Sequence, residues 1–173
     1  MENTQIKPGQ VGLRYGVIMA LVSIVYSLIM SLVELQGNKV AGFVPFAVLI
    51  AIFILAHNYF KSNGNGFMSY GQGLGIASLI TLINAVLSSI FTFIYITSVD
   101  DSIIAQQREE ALRNMEKQGM SDQEIDQAMQ FTDMFLSPLG LTLGSLLSLI
   151  FFGILLALLV TAFTHKKDQT LSI

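Results

Sequence analysis

Few residues of this sequence have the types and spacing of a catalytic or ligand-binding site. The most conspicuous are the glycines of FMSYGQGLGIA at 67–77. Glycine-rich loops that hold phosphate groups follow a strand and have a G-x-G-x-x-G or G-x-x-x-x-G-K-[ST] pattern. Gly71, Gly73 and Gly75 fit neither pattern, no lysine follows them, and residues 76–99 carry no charge. The stretch is therefore not predicted to bind a nucleotide.

No catalytic constellation is evident elsewhere. The chain has no cysteine, and it contains neither an H-E-x-x-H zinc helix nor a G-x-S-x-G elbow. Its two histidines, His57 and His165, lie at opposite ends of the sequence of apolar segments. His57 is placed near the end of an apolar segment, where a side chain can reach the interface by snorkelling. We predict a protein that is not an enzyme and that binds no cofactor, no metal and no nucleic acid.

Most of the chain is too apolar for the surface of a water-soluble domain. Hydrophobic residues make up 53% and charged residues 12% of its 173 residues, against about 25% charged in soluble domains. Several windows without charge reach the ~20 residues that a helix needs to cross the hydrocarbon core. Lipid requires every backbone group to be paired internally. We therefore predict a single membrane domain, residues 1–173, with four membrane-spanning helices at about 11–33, 40–60, 71–99 and 137–164.

The one substantial polar segment connects the third and fourth spans, at about 100–136. It carries nine acidic and three basic residues, a net charge of −6. Gly119 suits the left-handed position that ends a helix, and Ser121 with Glu124 has the spacing of a capping box. Residues that are apolar, apart from Thr132, recur at helical spacing on both sides of this turn: Ile104, Ala111, Leu112 and Met115, then Ile125, Ala128, Met129, Thr132 and Leu136. The sequence thus predicts an all-α integral membrane bundle of four helices with an extramembrane helical hairpin.

The hairpin also holds half of the eight methionines and most of the acidic residues. Thioether groups can bind Cu(I) and carboxylates can bind Ca²⁺. The acidic residues have no EF-hand spacing, and methionine commonly fills irregular apolar faces. We expect Met115, Met120, Met129 and Met134 to pack the hairpin rather than to hold a metal.

Small residues recur at intervals of four along three of the spans. In lipid there is little hydrophobic drive between helices, so close contact through small residues is a common means of association. We expect six glycines to hold the four helices together, and they are also candidates for contact between two protomers: Gly12, Gly16, Gly71, Gly75, Gly140 and Gly144.

Asn84 is the most polar residue that the sequence places inside a span. We expect it to form a hydrogen bond to a neighbouring helix, and such a bond contributes about 0.6 to 2 kcal/mol. The alternative is that Asn84 contacts a substrate or a partner.

Charge distribution gives a weak indication of topology. An even number of spans puts both termini on one side, together with Lys7, Arg14, Lys61, Lys166 and Lys167, while Lys39, Arg108, Arg113 and Lys117 fall on the other. This excess, and the two lysines directly after the last span, predict that both termini are cytoplasmic.

Three stretches carry a resemblance to a known family. They are MSYGQ at the beginning of the third span, NMEKQGMSDQEIDQAM in the hairpin, and LSLIFFGILLALLVTAF in the last span with KK soon after it. Over residues 8–168 the chain resembles a bacterial membrane-protein family catalogued as domain of unknown function 4199. The resemblance implies four spans in a bacterial inner membrane and a charged, methionine-containing helical pair outside it. It implies no activity.

Two functions are consistent with these observations. We predict a non-enzymatic oligomer or accessory subunit that presents its acidic hairpin to a membrane-protein partner outside the cytoplasm, because a connection of about 37 residues is longer than joining two spans requires. The alternative is a small transporter or channel for an uncharged or polar solute. Its pathway would be lined by Asn84, Thr81, Ser88 and serines of the first span, with these side chains facing water.

Overall fold

The computed structural model describes residues 6–33 and 40–166, and all the regular elements in these ranges are helical. There are six α-helices: α1 (Pro8–Leu32), α2 (Val44–Ser62), α3 (Tyr70–Ser98), α4 (Ser102–Lys117), α5 (Asp122–Phe135) and α6 (Pro138–Thr164). A 3-10 turn at Ala41–Phe43 precedes α2. Within the described part, α1, Ala41–Ser62, α3 and α6 are long and apolar enough to cross a membrane. The prediction of an all-α protein with four membrane-spanning helices is confirmed.

The helices begin where the sequence provides an N-terminal signal. Pro8 and Pro138 occupy the first turns of α1 and α6, where the missing N–H of proline would have no intrahelical partner. Before α3, the backbone N–H of Gln72 donates to Ser69 Oγ at 3.2 Å, and the N–H of Ser69 donates to Gln72 Oε1 at 2.9 Å. This reciprocal pair satisfies two donors that a helix start leaves unpaired. It places the first residue of α3 at Tyr70 without help from other helices.

The chain divides into two compact units. The first unit comprises residues 1–88 and 149–173, and the second comprises residues 89–148, so that α3 and α6 contribute residues to both. The core of the first unit is formed by apolar side chains of α1, α2, α3 and α6 together with the segment before α3, among them Met19, Phe53, Met68, Ile76, Ile80 and Ala157. Large apolar side chains also cover the outer faces of these helices, as expected of a surface in contact with lipid.

In the second unit, α4 ends in a Schellman motif. Gly119 has φ +75°, a left-handed conformation that glycine adopts at little cost. The N–H of Gly119 donates to the carbonyl of Glu116 at 2.9 Å, and that of Met120 donates to the carbonyl of Met115 at 3.3 Å. These two bonds satisfy carbonyls that the helix end would otherwise leave unpaired. The predicted end of α4 at Gly119 is therefore confirmed.

The next helix, α5, begins at the predicted capping box. The backbone N–H of Ser121 donates to Glu124 Oε2 at 2.8 Å, and the hydroxyl of Ser121 donates to the same oxygen at 2.7 Å. Near the C-terminal end of α5, Asp133 forms a bidentate salt bridge with Arg108 of α4. Arg108 Nε lies 2.8 Å from Oδ1, and Nη2 lies 3.2 Å from Oδ2. Residues 102–135 thus form an antiparallel helix pair, here named the α4–α5 pair.

Candidate functional site

Two of the glycines singled out in the sequence bring α1 against α3. A Cβ added to Gly12 would lie 2.9 Å from Cβ of Leu79, and one added to Gly16 would lie 2.9 Å from Cβ of Ile83. Real Cβ atoms do not approach other atoms so closely, because such distances lie well inside van der Waals contact. The absence of a side chain at these positions therefore permits the close approach of the two helices.

The other glycines behave differently. A Cβ at Gly71, Gly75 or Gly144 would meet no described atom within 4 Å, so these three do not bring two helices of the described chain together. A Cβ at Gly140 would collide with the carbonyl oxygen of Phe135. Gly140 consequently makes room for the backbone at the end of α5.

Two glycines that sequence spacing did not select do pack spans together. A Cβ at Gly73 would lie 2.8 Å from Cγ2 of Thr161, and one at Gly153 would collide with the side chain of Thr81. Both contacts join α3 to α6. Gly153 is followed by Ala157 and Thr161 at intervals of four, a stripe of small residues that was not among those predicted to pack, and the rotation of α6 about its axis turns Gly153 toward α3.

Asn84 lies inside the first unit and is 3% exposed. Its Oδ1 accepts a hydrogen bond from Ser23 Oγ of α1 at 2.9 Å and another from Ser88 Oγ of its own helix at 3.2 Å. One interhelical hydrogen bond of this kind contributes about 0.6 to 2 kcal/mol in a membrane. The amide of Asn84 therefore connects α1 to α3, next to the contact at Gly16.

His57 is the most buried ionisable side chain of the described spans. It lies within α2 and is 0% exposed, so the prediction that it snorkels to the interface is wrong. Its Nδ1 lies 2.7 Å from Thr164 Oγ1 of α6, and its Nε2 lies 3.0 Å from the carbonyl oxygen of Gly73 of α3. The ring is thus bonded to both α3 and α6, which the sequence of α2 alone could not show.

The hydrogen bonds of His57 determine its tautomer. A carbonyl oxygen can only accept, so Nε2 must carry the proton that bonds to Gly73. In the neutral ring, Nδ1 can then only accept, and the single hydroxyl proton of Thr164 is shared between Nδ1 at 2.7 Å and the carbonyl oxygen of Val160 at 2.8 Å. Both ring nitrogens are thus engaged by atoms of the chain, and neither is left to bind a metal ion or to act as a base. The arrangement joins three helices.

The second histidine lies close by, at the end of α6. His165 Nδ1 is 3.2 Å from the carbonyl oxygen of Thr161, and its ring contacts the ring of Tyr70 with centroids 6.0 Å apart. Lys61 Nζ donates to the carbonyl of Thr164 at 3.1 Å. The ends of α2 and α6 and the start of α3 therefore meet, and they bring together two histidines that are far apart in the sequence.

The α4–α5 pair carries a different kind of surface. The residues predicted to line its two helices are shielded from solvent, and Met129 is the most buried of them at 5% exposed. Met134 is 62% exposed, so the expectation that it packs the hairpin is wrong. The charged residues are exposed. Among the described residues, no group of three or more His, Asp and Glu side chains lies close enough to hold a metal ion. The pair is an amphipathic element with a charged outer face.

Hydrogen bonds lower the pKa of two carboxyl groups in this pair. The bond from Arg108 lowers the pKa of Asp133, and the backbone N–H of Ser121 lowers the pKa of Glu124. Each bond favours the ionised carboxylate. Asp133 and Arg108 are about half exposed, so water screens their attraction.

Acidification should loosen the α4–α5 pair before it affects the spans. Because the pKa of Asp133 and Glu124 is lowered by folding, their stabilisation is present above the unfolded-state pKa of about 4 and is lost as the pH falls through the folded-state values. We expect the protection of the α4 and α5 amides against hydrogen exchange, corrected for intrinsic rates, to fall roughly two- to fivefold between about pH 6 and about pH 3.

The Asp133→Asn variant provides the control for this measurement. At about pH 6, its amides near Arg108 should already be less protected against hydrogen exchange than those of the wild-type chain. Their protection should then fall less on acidification. Equal protection of the wild-type pair at both pH values would show that these carboxylates do not stabilise it.

The family described as a protein of unknown function, DUF4199, matches residues 14–166. No match was found among curated proteins or among solved structures. The matched region includes nearly all of the four apolar helices and the whole α4–α5 pair, which confirms the resemblance seen in the sequence. The chain is therefore a multi-pass membrane protein that belongs to the DUF4199 family.

Proposed function

We propose that this protein is a non-enzymatic accessory protein of the bacterial inner membrane, with both termini in the cytoplasm, that presents the α4–α5 pair to a partner on the opposite side. The observation that carries the proposal is that the pair is fixed by contacts of its own. A Schellman motif, a capping box and the bond between Arg108 and Asp133 specify its geometry. A connection that only joined two spans would need none of these features.

The charge of the pair indicates what kind of partner it suits. Seven acidic and three basic residues lie within the pair, residues 102–135, and several of the acidic side chains are exposed, namely Glu110, Glu116, Asp122 and Asp126. Complementary charge increases the rate of association and the specificity of protein complexes. The partner is therefore a protein with a basic surface.

The last turns of α5 indicate how the pair meets the membrane. Phe131, Met134 and Phe135 are 71%, 62% and 65% exposed, and their spacing puts them on one side of the helix. They precede the start of α6 by only a few residues. Aromatic and apolar side chains in such a position favour the headgroup region of a bilayer. This contact leaves the acidic residues of the pair on its water-facing side.

The transporter alternative receives less support. A polar pathway would require Asn84 and its neighbours to face water. Asn84 Oδ1 instead accepts from Ser23 and Ser88, and the hydroxyl of Thr81 donates to the carbonyl of Ala77 at 3.0 Å. These bonds use polar groups that the pathway would have to offer to a solute.

Crosslinking in intact cells tests the proposal. Because the chain has no cysteine, a single cysteine at the exposed Gln123 can be reacted with a membrane-impermeant thiol crosslinker. We expect a covalent adduct with a second, basic protein, identified by mass spectrometry, and we expect most of it to disappear when Glu110, Glu116, Asp122 and Asp126 are replaced by their amides.

The matched control is a cysteine at Ser62, which is exposed at the end of α2. The proposed topology puts Ser62 in the cytoplasm, where the impermeant reagent should not reach it. Labelling at Ser62 but not at Gln123 would show that the topology is inverted. Adducts that contain only this chain, or that persist in the neutralised variant, would contradict an acidic docking surface for another protein.

A further inference from the structure

Arg14 lies on the lipid-facing side of α1. It is exposed, and the residues three, four and seven positions later, Val17, Ile18 and Leu21, are 39%, 38% and 59% exposed. Residues at this spacing share one face of a helix. Arg14 is six residues after the first residue of α1, a distance of about 9 Å along the axis at ~1.5 Å per residue. Its guanidinium thus belongs to the boundary between headgroups and hydrocarbon.

Contacts with Tyr59 of α2 fix the position of this guanidinium. Nη1 donates to the hydroxyl of Tyr59 at 3.0 Å, and the guanidinium carbon lies 5.0 Å from the centre of the same ring. The ring of Tyr59 contacts that of Tyr15 with centroids 5.8 Å apart. One of the five N–H donors of Arg14 is thereby used, and the others have no acceptor among the described residues. The side chain is held in place while most of its donors remain available.

No carboxylate of the described part of the first unit neutralises Arg14. The described residues of this unit contain Lys7, Arg14, Lys61 and Lys166 and no Asp or Glu, while Glu2, Glu34 and Asp168 lie outside the described residues. Lys61 is two residues from Tyr59 and bonds to the end of α6, which Lys166 follows. These lysines and Arg14 consequently share one end of the unit. A positive charge at a lipid-facing position that has no counter-ion among the described residues of its unit is suited to an anion from its surroundings.

We propose that Arg14, held by Tyr59, binds the phosphate of an anionic phospholipid headgroup. The planar guanidinium offers parallel N–H donors that match two phosphate oxygens, and charge-assisted bonds of this kind are stronger than neutral ones. The nearby Lys61 and Lys166 favour a headgroup with net negative charge over a zwitterionic one. The acyl chains of the lipid then lie along Val17, Ile18 and Leu21. The site is formed by α1 and α2 together, because the orientation of Arg14 depends on Tyr59.

Native mass spectrometry of the purified full chain in detergent tests this site. Phosphatidylglycerol and phosphatidylcholine with the same acyl chains are titrated separately, and we expect tighter binding of phosphatidylglycerol. Loss of the charged hydrogen bonds in Arg14→Gln should weaken phosphatidylglycerol binding about tenfold. Arg14→Lys should recover part of the affinity, since lysine keeps the positive charge but lacks the parallel N–H donors of the guanidinium. Tyr59→Phe should weaken binding less than Arg14→Gln does, because it removes the orienting hydroxyl alone.

The matched control is Arg113→Gln, an exposed arginine on α4 that pairs with Glu109; it should leave lipid affinity unchanged. Inorganic phosphate at millimolar concentration should not displace the lipid, since the acyl chains contribute to its binding. Displacement would assign the site to a soluble phosphate instead. Equal binding of both lipids, or an unchanged affinity in folded Arg14→Gln and Tyr59→Phe proteins, would overturn the proposal.

Discussion

The Gly16→Leu variant should unfold with a free energy about 3 kcal/mol lower than that of the wild-type chain, near the upper end of the usual range for overpacked cores. A Cβ at this position would lie 2.9 Å from Cβ, 3.0 Å from Cδ1 and 3.2 Å from Cγ2 of Ile83. Ile83 is β-branched and stiff at χ1, so it cannot turn away from the new side chain. The contact of α1 with α3 must widen, and the bond between Ser23 and Asn84 lengthens with it.

The matched control for this prediction is Gly75→Leu. A Cβ at Gly75 meets no described atom within 4 Å, and leucine is the better helix former. Its free energy of unfolding in detergent, measured by reversible denaturation at low protein concentration, should stay within about 1 kcal/mol of the wild-type value. Equal losses in both variants would show that Gly16 has no special part in packing within the chain. A loss at Gly75 that depends on protein concentration would assign that glycine to contact between protomers.

Replacing His57 by alanine should have a comparable effect. The variant loses two hydrogen bonds and leaves a cavity between α2, α3 and α6, and together these changes cost about 3 kcal/mol. For a chain of 173 residues, this corresponds to a fall in melting temperature of roughly 6–12 °C. Thermal unfolding in detergent, followed by circular dichroism, measures the change.

The second histidine supplies the control. His165 is partly exposed and contacts the carbonyl of Thr161 in the preceding turn of the chain, so His165→Ala should lower the melting temperature by less than about 3 °C. If His57→Ala unfolded at the wild-type temperature, its two hydrogen bonds would not stabilise the helices. If it kept its stability but lost binding of a partner or a lipid, His57 would have a functional role that its buried position does not indicate.

Both predictions concern contacts that fix the spans of the first unit, whereas the proposed functions use surfaces. The acidic face of the α4–α5 pair and the Arg14 site can be altered by substitutions that leave Gly16 and His57 in place. Loss of partner adducts or of lipid binding in stable variants would therefore report on function, and loss in the Gly16 and His57 variants would report on folding. Variants of the acidic face, Arg14, Gly16 and His57 can therefore be compared to separate effects on function from effects on folding.

Local features of the fold could be predicted from the sequence because their causes are local. The absence of charge over about 20 residues suffices to identify a span, and the observed spans begin and end within three residues of the predicted positions. The Schellman turn at Gly119 and the capping box of Ser121 and Glu124 depend on residues within a few positions of each other. Their geometry follows from backbone conformation and hydrogen bonding alone.

The partners of side chains inside the spans were decided by tertiary structure. Glycines at intervals of four indicate a face along which helices can pack closely, but Gly12 and Gly16 use that face within the chain, and Gly71 and Gly75 do not. In lipid, apolar side chains are suited to both the interior and the outer surface, so hydropathy does not reveal how a helix is rotated about its axis. The burial of His57 against Gly73 and Thr164, and the contact of Arg14 with Tyr59, depend on that rotation.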